Sequence, residues 1–207
     1  MNSFELGLNK YLSTEILTKI ANVTVGIAGT GGIGSNCAVN LVRSGFKKLV
    51  IVDFDSVESS NLNRQFFFLN QVGMSKVSAL TTNLLRINPD LKLATYHDRI
   101  TERNVTQIFK DCQVVVEALD QPHDKQMLIE ACLDSKKLVV AASGLAGWGD
   151  ADEIITRKLG ENFYLVGDLG EAASAEYPPL SPRVNLVAAK QANLVLKWVI
   201  EEYQNEA

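Results

Sequence analysis

The chain has 207 residues, 46% of them apolar, and a formal net charge of -4. That length supports one well-packed domain with at most a modest appendage, and so weak an acidity gives no general field to gather nucleic acid or an anionic membrane. No apolar run approaches the roughly 20 residues of a membrane span, and the start, MNSFELGLNKYLSTEILTKI, lacks the basic head and apolar centre of a secretory signal, so a cytoplasmic protein is expected.

Beyond that polar start the chain alternates. VTVGIA (23–28) is a short β-branched run that ends in glycines and reads as a buried strand. GSNCAVNLVRSGF (34–46) carries apolar residues at helical spacing and stops at Gly45. KLVIVD (48–53) is a second strand, SKVSALTTNLLRI (75–87) a helix and LKLATYH (91–97) a third strand. ERNVTQIFK (102–110), CQVVVEAL (112–119), KQMLIEACLDS (125–135) and KLVVAAS (137–143) continue as helix, strand, helix, strand. Strands that are apolar throughout, joined by helices, predict a mainly parallel, doubly wound, Rossmann-like α/β sheet covered on both faces.

The pattern changes after Gly144. GLAGWGDADE is a glycine-rich loop, EIITRKL and NFYLVGD are two further strands, and EAASAEYPPLSP reads as mobile. The chain closes on one long helix, RVNLVAAKQANLVLKWVIEEY (183–203). Its apolar face runs through Leu186, Val187, Leu194, Val195, Trp198 and Val199, the kind of face that meets a core or another subunit. Cys37, Cys112 and Cys132 lie far apart with no Cys-x-x-Cys pair. They read as small buried apolar residues, with no zinc site and no disulfide framework. His97 and His123 read as structural or exposed.

Between the first strand and first helix, Gly29, Gly31 and Gly34 form G-x-G-x-x-G. Such glycines allow a tight turn and a close backbone approach to phosphate at a helix start. Asp53 ends the next strand, 19 residues after Gly34, where an acid accepts from ribose hydroxyls. A dinucleotide would be the default ligand, but Asn61, Asn63, Arg64, Gln65 and then Lys76 follow that acid. This density of polar and cationic groups suits a triphosphate, because arginine grips phosphate oxygens in a fork and lysine acts as a point charge. Asp120 ends the fourth strand. It could hold Mg²⁺ beside phosphates or cap the helix that begins near Pro122, and the two roles are compatible.

GIAGTGGIGSN, VDFDSVESSNLNRQ, VGMSKV, RINPDL and EALDQPHDK together resemble the ThiF/MoeB family, relatives of the ubiquitin-activating enzymes, over about residues 23–149. SPRVNLVAAKQANLVL, with an upstream GD, is similar to the short, zinc-free ThiF type. The resemblance implies one adenylation unit over 1–207, with a nucleotide-binding core at 23–149 and a carrier-facing loop, strands and closing helix at 150–207. It implies ATP with Mg²⁺, no zinc, and adenylation of the C-terminal glycine carboxylate of a ubiquitin-like sulfur carrier of the ThiS kind, in thiazole biosynthesis. It also implies a homodimer. By motif, Gly29, Gly31, Gly32 and Gly34 face the nucleotide and Asp53 takes the ribose. Asp55 and Gln65 belong to the same site, Asn61, Arg64 and Lys76 hold phosphates, and Asp120 sits at the metal. Arg64, Lys76 and Asp120 are the expected catalytic set.

The chain departs from the pattern in two places. No cysteine follows Cys132, so covalent sulfur transfer is not expected. No arginine precedes Arg43, where relatives have an N-terminal arginine that reaches a neighbour's ATP; either Lys10 or Lys19 replaces it or the role is absent. The competing readings are a MoaD-type carrier, a tRNA-modifying dehydratase and a non-catalytic scaffold subunit. The acidic balance opposes the tRNA reading, and the presence of Arg64, Lys76 and Asp120 opposes the scaffold.

Overall fold

The computed structural model describes residues 2–143, 147–170 and 173–203. Two short helices come first, α1 (Ser3–Leu8) and α2 (Thr14–Asn22), where the sequence reading placed no element. Their signals are caps. Asn2 accepts from the Glu5 amide at 3.0 Å while the Glu5 carboxylate accepts from the Asn2 amide, and Ser13 accepts from the Ile16 amide. Such reciprocal caps satisfy helix-end amides that otherwise have no partner.

The alternation then appears as expected: β1 (Thr24–Ala28), α3 (Gly32–Arg43), β2 (Lys48–Val52), α4 (Lys76–Leu85), β3 (Lys92–Tyr96), α5 (Val105–Ile108), β4 (Val114–Glu117), α6 (Pro122–Asp134) and β5 (Leu138–Ala142). A hairpin follows, β6 (Ile155–Gly160) and β7 (Phe163–Gly167), and then α7 (Ser181–Glu201). The seven strands lie in the order β3-β2-β1-β4-β5-β7-β6. All neighbours are parallel except β6 against β7. The chain winds outward from β1 to β3, then returns to place β4 on the other flank of β1. That reversal opens a crevice at the carboxyl ends of β1 and β4, the usual ligand position in such sheets.

Two apolar layers sandwich the sheet. Val25 and Ile27 of β1 and Val114 and Val116 of β4 join Leu41, Phe46 and Leu80 on one face, while Ala28 and Val115 join Phe109 and Leu128 on the other. This is the two-residue alternation of a strand covered on both sides. Phe46 and Phe109 are fully buried, each contributing about 1.5–3 kcal/mol over an exposed position.

Two expectations change. β3 is mostly exposed because it is the sheet's edge strand, so the double covering stops short of it. On α7 the buried stripe is Val184, Val187, Ala188, Gln191, Ala192, Val195 and Val199, and Leu186 is 37% exposed. Burial follows i, i+3, i+4 steps, and Leu186 falls one position off that stripe. The three cysteines are buried; burial pushes the Cys112 thiol up to about 12 and Cys132 to about 11.

Gly144–Ala146 of the glycine-rich loop and Glu171–Ala172 of the stretch read as mobile lie outside the described residues. The flanking parts are tied together rather than separate. The Gly147 amide donates to the Pro178 carbonyl at 3.0 Å, and Trp148 stacks on Tyr177 with ring centroids 5.6 Å apart. Among the described residues no helix is long and apolar enough to cross a membrane.

Candidate active site

The crevice at the strand ends is a cavity of about 630 Å³. Every residue expected in the site lines it except Gly34 and Asn63. Gly34 lies beneath, where its absence of a side chain is required: a Cβ there would sit 1.9 Å from the Gly29 carbonyl oxygen. Gly29 itself has φ +88°, and a Cβ on it would meet the Ala118 carbonyl at 2.7 Å. These two positions let the loop turn tightly between β1 and α3 and pack against the end of β4. Gly31, the α3 cap, has no atom within 4 Å of its would-be Cβ.

Asp53 follows β2 and is only 9% exposed. Its Oδ2 accepts from the Thr30 amide at 2.6 Å and the Thr30 hydroxyl at 2.9 Å, and its Oδ1 from the Asp55 amide at 2.8 Å. Lys76, the first residue of α4, is buried and donates to Asp55 Oδ2 at 2.7 Å. An ammonium has three N–H groups, so two are left for another acceptor.

The segment 59–65 is built inward from its own backbone. A 3₁₀ turn, Ser59–Asn61, is closed by Asn61, whose Oδ1 accepts from the Glu58 amide at 3.1 Å. Arg64 uses Nη1 on the Ser60 carbonyl at 3.2 Å and on Asn63 Oδ1 at 2.7 Å. Its Nη2 pair and Nε–H have no protein partner among the described residues. Burial draws the guanidinium pKa down from its usual range, without bringing it near neutrality. Two polar residues of α3 fasten this segment: Asn36 donates to the Arg64 carbonyl at 2.8 Å, and Ser35 accepts from the Phe66 amide at 3.0 Å. Asn63 is a correction to the sequence reading. It does not line the cavity; its amide donates to the Pro179 carbonyl at 3.1 Å and ties this segment to the stretch before α7. Gln65 is 8% exposed and its Oε1 is buried without a partner, so only its amide nitrogen is left to serve a ligand.

Asp120 stands exposed at the rim, its one side-chain bond a 3.4 Å contact from Gln121 Nε2. The helix-cap alternative fails, since the residue in the cap position of α6 is Gln121. Lys19 is already used on the Ile200 carbonyl at the end of α7, so of the two N-terminal lysines only Lys10 is uncommitted.

Sequence reasoning missed several neighbours. Glu117 ends β4 at 0% exposure. Its oxygens accept from Lys125 Nζ at 2.9 and 3.0 Å, from the Leu119 amide at 2.7 Å and from the Ala142 amide at 3.4 Å. Burial pushes its pKa up and Lys125 pulls it back; with donors on both oxygens, the carboxylate form fits. An acid closing an otherwise apolar central strand was the signal available. Arg99 packs over the Phe54 ring at 4.4 Å and approaches Asp124 at 3.8 Å on another wall. On α7, Arg183 pairs with Asp168 at 2.5 Å and donates to the Asp150 carbonyl at 2.8 Å. A triphosphate-sized anion would thus meet a glycine loop, a ribose-class acid, two cations with spare donors and an exposed carboxylate.

The adenylyltransferase and sulfurtransferase UBA4 of Candida glabrata is 31% identical over 194 residues, 91% of this chain and 45% of that protein. The ubiquitin-like modifier-activating enzyme 5 of Drosophila willistoni is 38% identical over 117 residues, 56% of this chain and 28% of that protein. The chain therefore spans less than half the length of these relatives. Among solved structures, E. coli tRNA N6-threonylcarbamoyladenosine dehydratase in complex with AMP superposes with a TM-score of 0.83 at 22% identity, covering 94% of this chain and 93% of that one. E. coli MccB with ATP gives 0.68 at 22%, covering 92% and 59%. Both likenesses concern the fold. The family model matches residues 5–206, a span that holds every element shaping the cavity, and the chain belongs to the ThiF family.

Proposed function

We propose that the chain uses ATP to adenylate the C-terminal glycine carboxylate of a ubiquitin-like sulfur carrier of the ThiS kind, for thiazole assembly in thiamine biosynthesis. The observation that carries this reading is the placing of Arg64 and Lys76, both with unused donors, in one cavity with the glycine loop and Asp53. Relatives named as adenylyltransferases of the UBA4 kind support it.

The step is a displacement. A carboxylate oxygen of the carrier forms a bond to the α-phosphorus as the bond from that phosphorus to the bridging oxygen breaks, and the electron pair leaves with pyrophosphate. A C-terminal carboxyl is already ionised at neutral pH, so no proton needs to move and no general base is required. The barrier is the meeting of two anions, about 4 kcal/mol for unit charges 4 Å apart at an effective dielectric near 20. Arg64 and Lys76 offset that repulsion and hold the phosphates in line. Asp53 takes the ribose and Asn61 adds an amide donor.

Among the described residues no group of three His, Cys, Asp or Glu could hold a metal alone. Mg²⁺ needs only one or two carboxylates when phosphates and water complete its shell, and Asp120, exposed and nearly unbonded beside Asp124, fits that demand. Such an ion would neutralise phosphate charge. We read 1–207 as one adenylation unit, with 150–207 facing the carrier and α7 contributing to a homodimer.

The test is ATP–pyrophosphate exchange with a ThiS-like or MoaD-like carrier ending in Gly-Gly, or with tRNA. Exchange that requires ThiS and is nearly abolished in Arg64→Ala and Asp120→Ala is expected. Exchange with MoaD or tRNA alone would reassign the substrate, and full activity in either variant would overturn the site.

A further inference from the structure

Asp53 is a crowded acceptor. A carboxylate offers about four lone-pair positions over its two oxygens. Oδ2 already accepts from both the Thr30 amide and the Thr30 hydroxyl, at 2.6 and 2.9 Å, and Oδ1 accepts from the Asp55 amide at 2.8 Å. Three positions are filled by the protein, and the fourth is on Oδ1. Thr30 is 0% exposed and does not line the cavity, so its hydroxyl cannot reach a ligand and acts through Asp53 alone.

We propose that Thr30 is a specificity-determining positioning residue: by filling Oδ2 it leaves Asp53 able to accept from one ribose hydroxyl only. This rests on the nucleotide reading above. The site then reads the ribose asymmetrically. Loss of one hydroxyl removes a bond to an ionised acceptor, and loss of the other removes nothing Asp53 can make. Glycine or alanine in the middle of the G-x-G turn would leave Oδ2 with its amide donor and one open position. The threonine at this place closes it.

The experiment is calorimetric titration of the full chain with ATP, 2′-deoxy-ATP and 3′-deoxy-ATP in magnesium buffer. A hydrogen bond to a charged group corresponds to about tenfold to 150-fold in affinity. One deoxy analogue is expected to weaken by that factor and the other to stay within about twofold of ATP. Thr30→Ala removes the hydroxyl together with the space it fills, reopening Oδ2. The tolerated analogue should then fall at least about fivefold behind ATP. Thr30→Ser should keep the wild-type asymmetry. Equal losses for both analogues in the wild-type chain, or no loss for either, would overturn the proposal even if Thr30→Ala does not fold. So would a Thr30→Ala pattern identical to wild type. Failure of ATP itself to bind would overturn the adenylation reading, and this one with it.

Discussion

Lys125→Met isolates the most buried charge at the site. The ammonium spends all three N–H groups, two on Glu117 at 2.9 and 3.0 Å and one on the Ala142 carbonyl at 3.2 Å. Its partner is at 0% exposure. Removing one member of such a pair costs about 3–5 kcal/mol because the remaining charge is left uncompensated. The Leu119 and Ala142 amides still face Glu117, and the Lys125 side chain is 23% exposed, which admits some water. The low end, about 3 kcal/mol, is therefore expected, which for a chain of this length is a fall in Tm of about 6–12 °C. Urea titration should show a lower midpoint with an unchanged slope. The pH dependence gives the sign. Burial already raises the Glu117 pKa, and losing Lys125 raises it further, so the native state binds more protons than the unfolded one. The variant's deficit should then shrink as pH falls from neutrality through that raised folded pKa toward the unfolded value of about 4.3. Glu117→Gln combined with Lys125→Met should recover most of the loss. A single-variant loss under about 1 kcal/mol, or a deficit that ignores pH, would refute the reasoning.

Gly34→Ala should cost at least about 3 kcal/mol, because its Cβ would strike a backbone oxygen that cannot rotate away; calorimetry should show lost ATP binding along with the lower Tm. Arg183→Met leaves Asp168 unpaired and frees the Asp150 carbonyl. A loss of about 2–4 kcal/mol is expected, with faster protease cleavage within residues 147–180; cleavage at the wild-type rate would argue against this anchor. At pH 8 a thiol with a pKa of about 11 is ionised to about one part in a thousand. Native protein should therefore take up no iodoacetamide by mass spectrometry, and urea-unfolded protein should take up three.

β1, β2, β4 and β5 were legible in the sequence because each is a short apolar, largely β-branched run between turn residues, the signature of a strand buried on both faces. α1 is six residues with nothing buried, so its signal is the Asn2 and Glu5 cap alone, whereas α2 does carry an apolar face, Ile16, Leu17 and Ile20, which the sequence reading passed over. The exposure of β3 was hidden because edge position is a property of the sheet, not of LKLATYH. In the site, the lining role of Asp53, Asn61, Arg64, Gln65 and Lys76 could be read from type and spacing. What each does for the protein itself could not. Asn63 and Asn61 look alike in sequence, yet one holds a carbonyl 116 residues away and the other closes its own turn. Glu117 and Lys125 meet only because β4 and α6 fold together across the Asp120 turn.

Both margins of the sheet bear on how the molecule behaves in company. At one margin β6 carries Arg157 and Lys158 and breaks register between Lys158 and Gly160; at the other, β3 is five residues long and opens on Lys92. A flat, apolar margin invites strands from neighbouring molecules, whereas charge, irregularity and brevity discourage them. Crowding many copies together, as during overexpression, should therefore not let these margins seed fibrils.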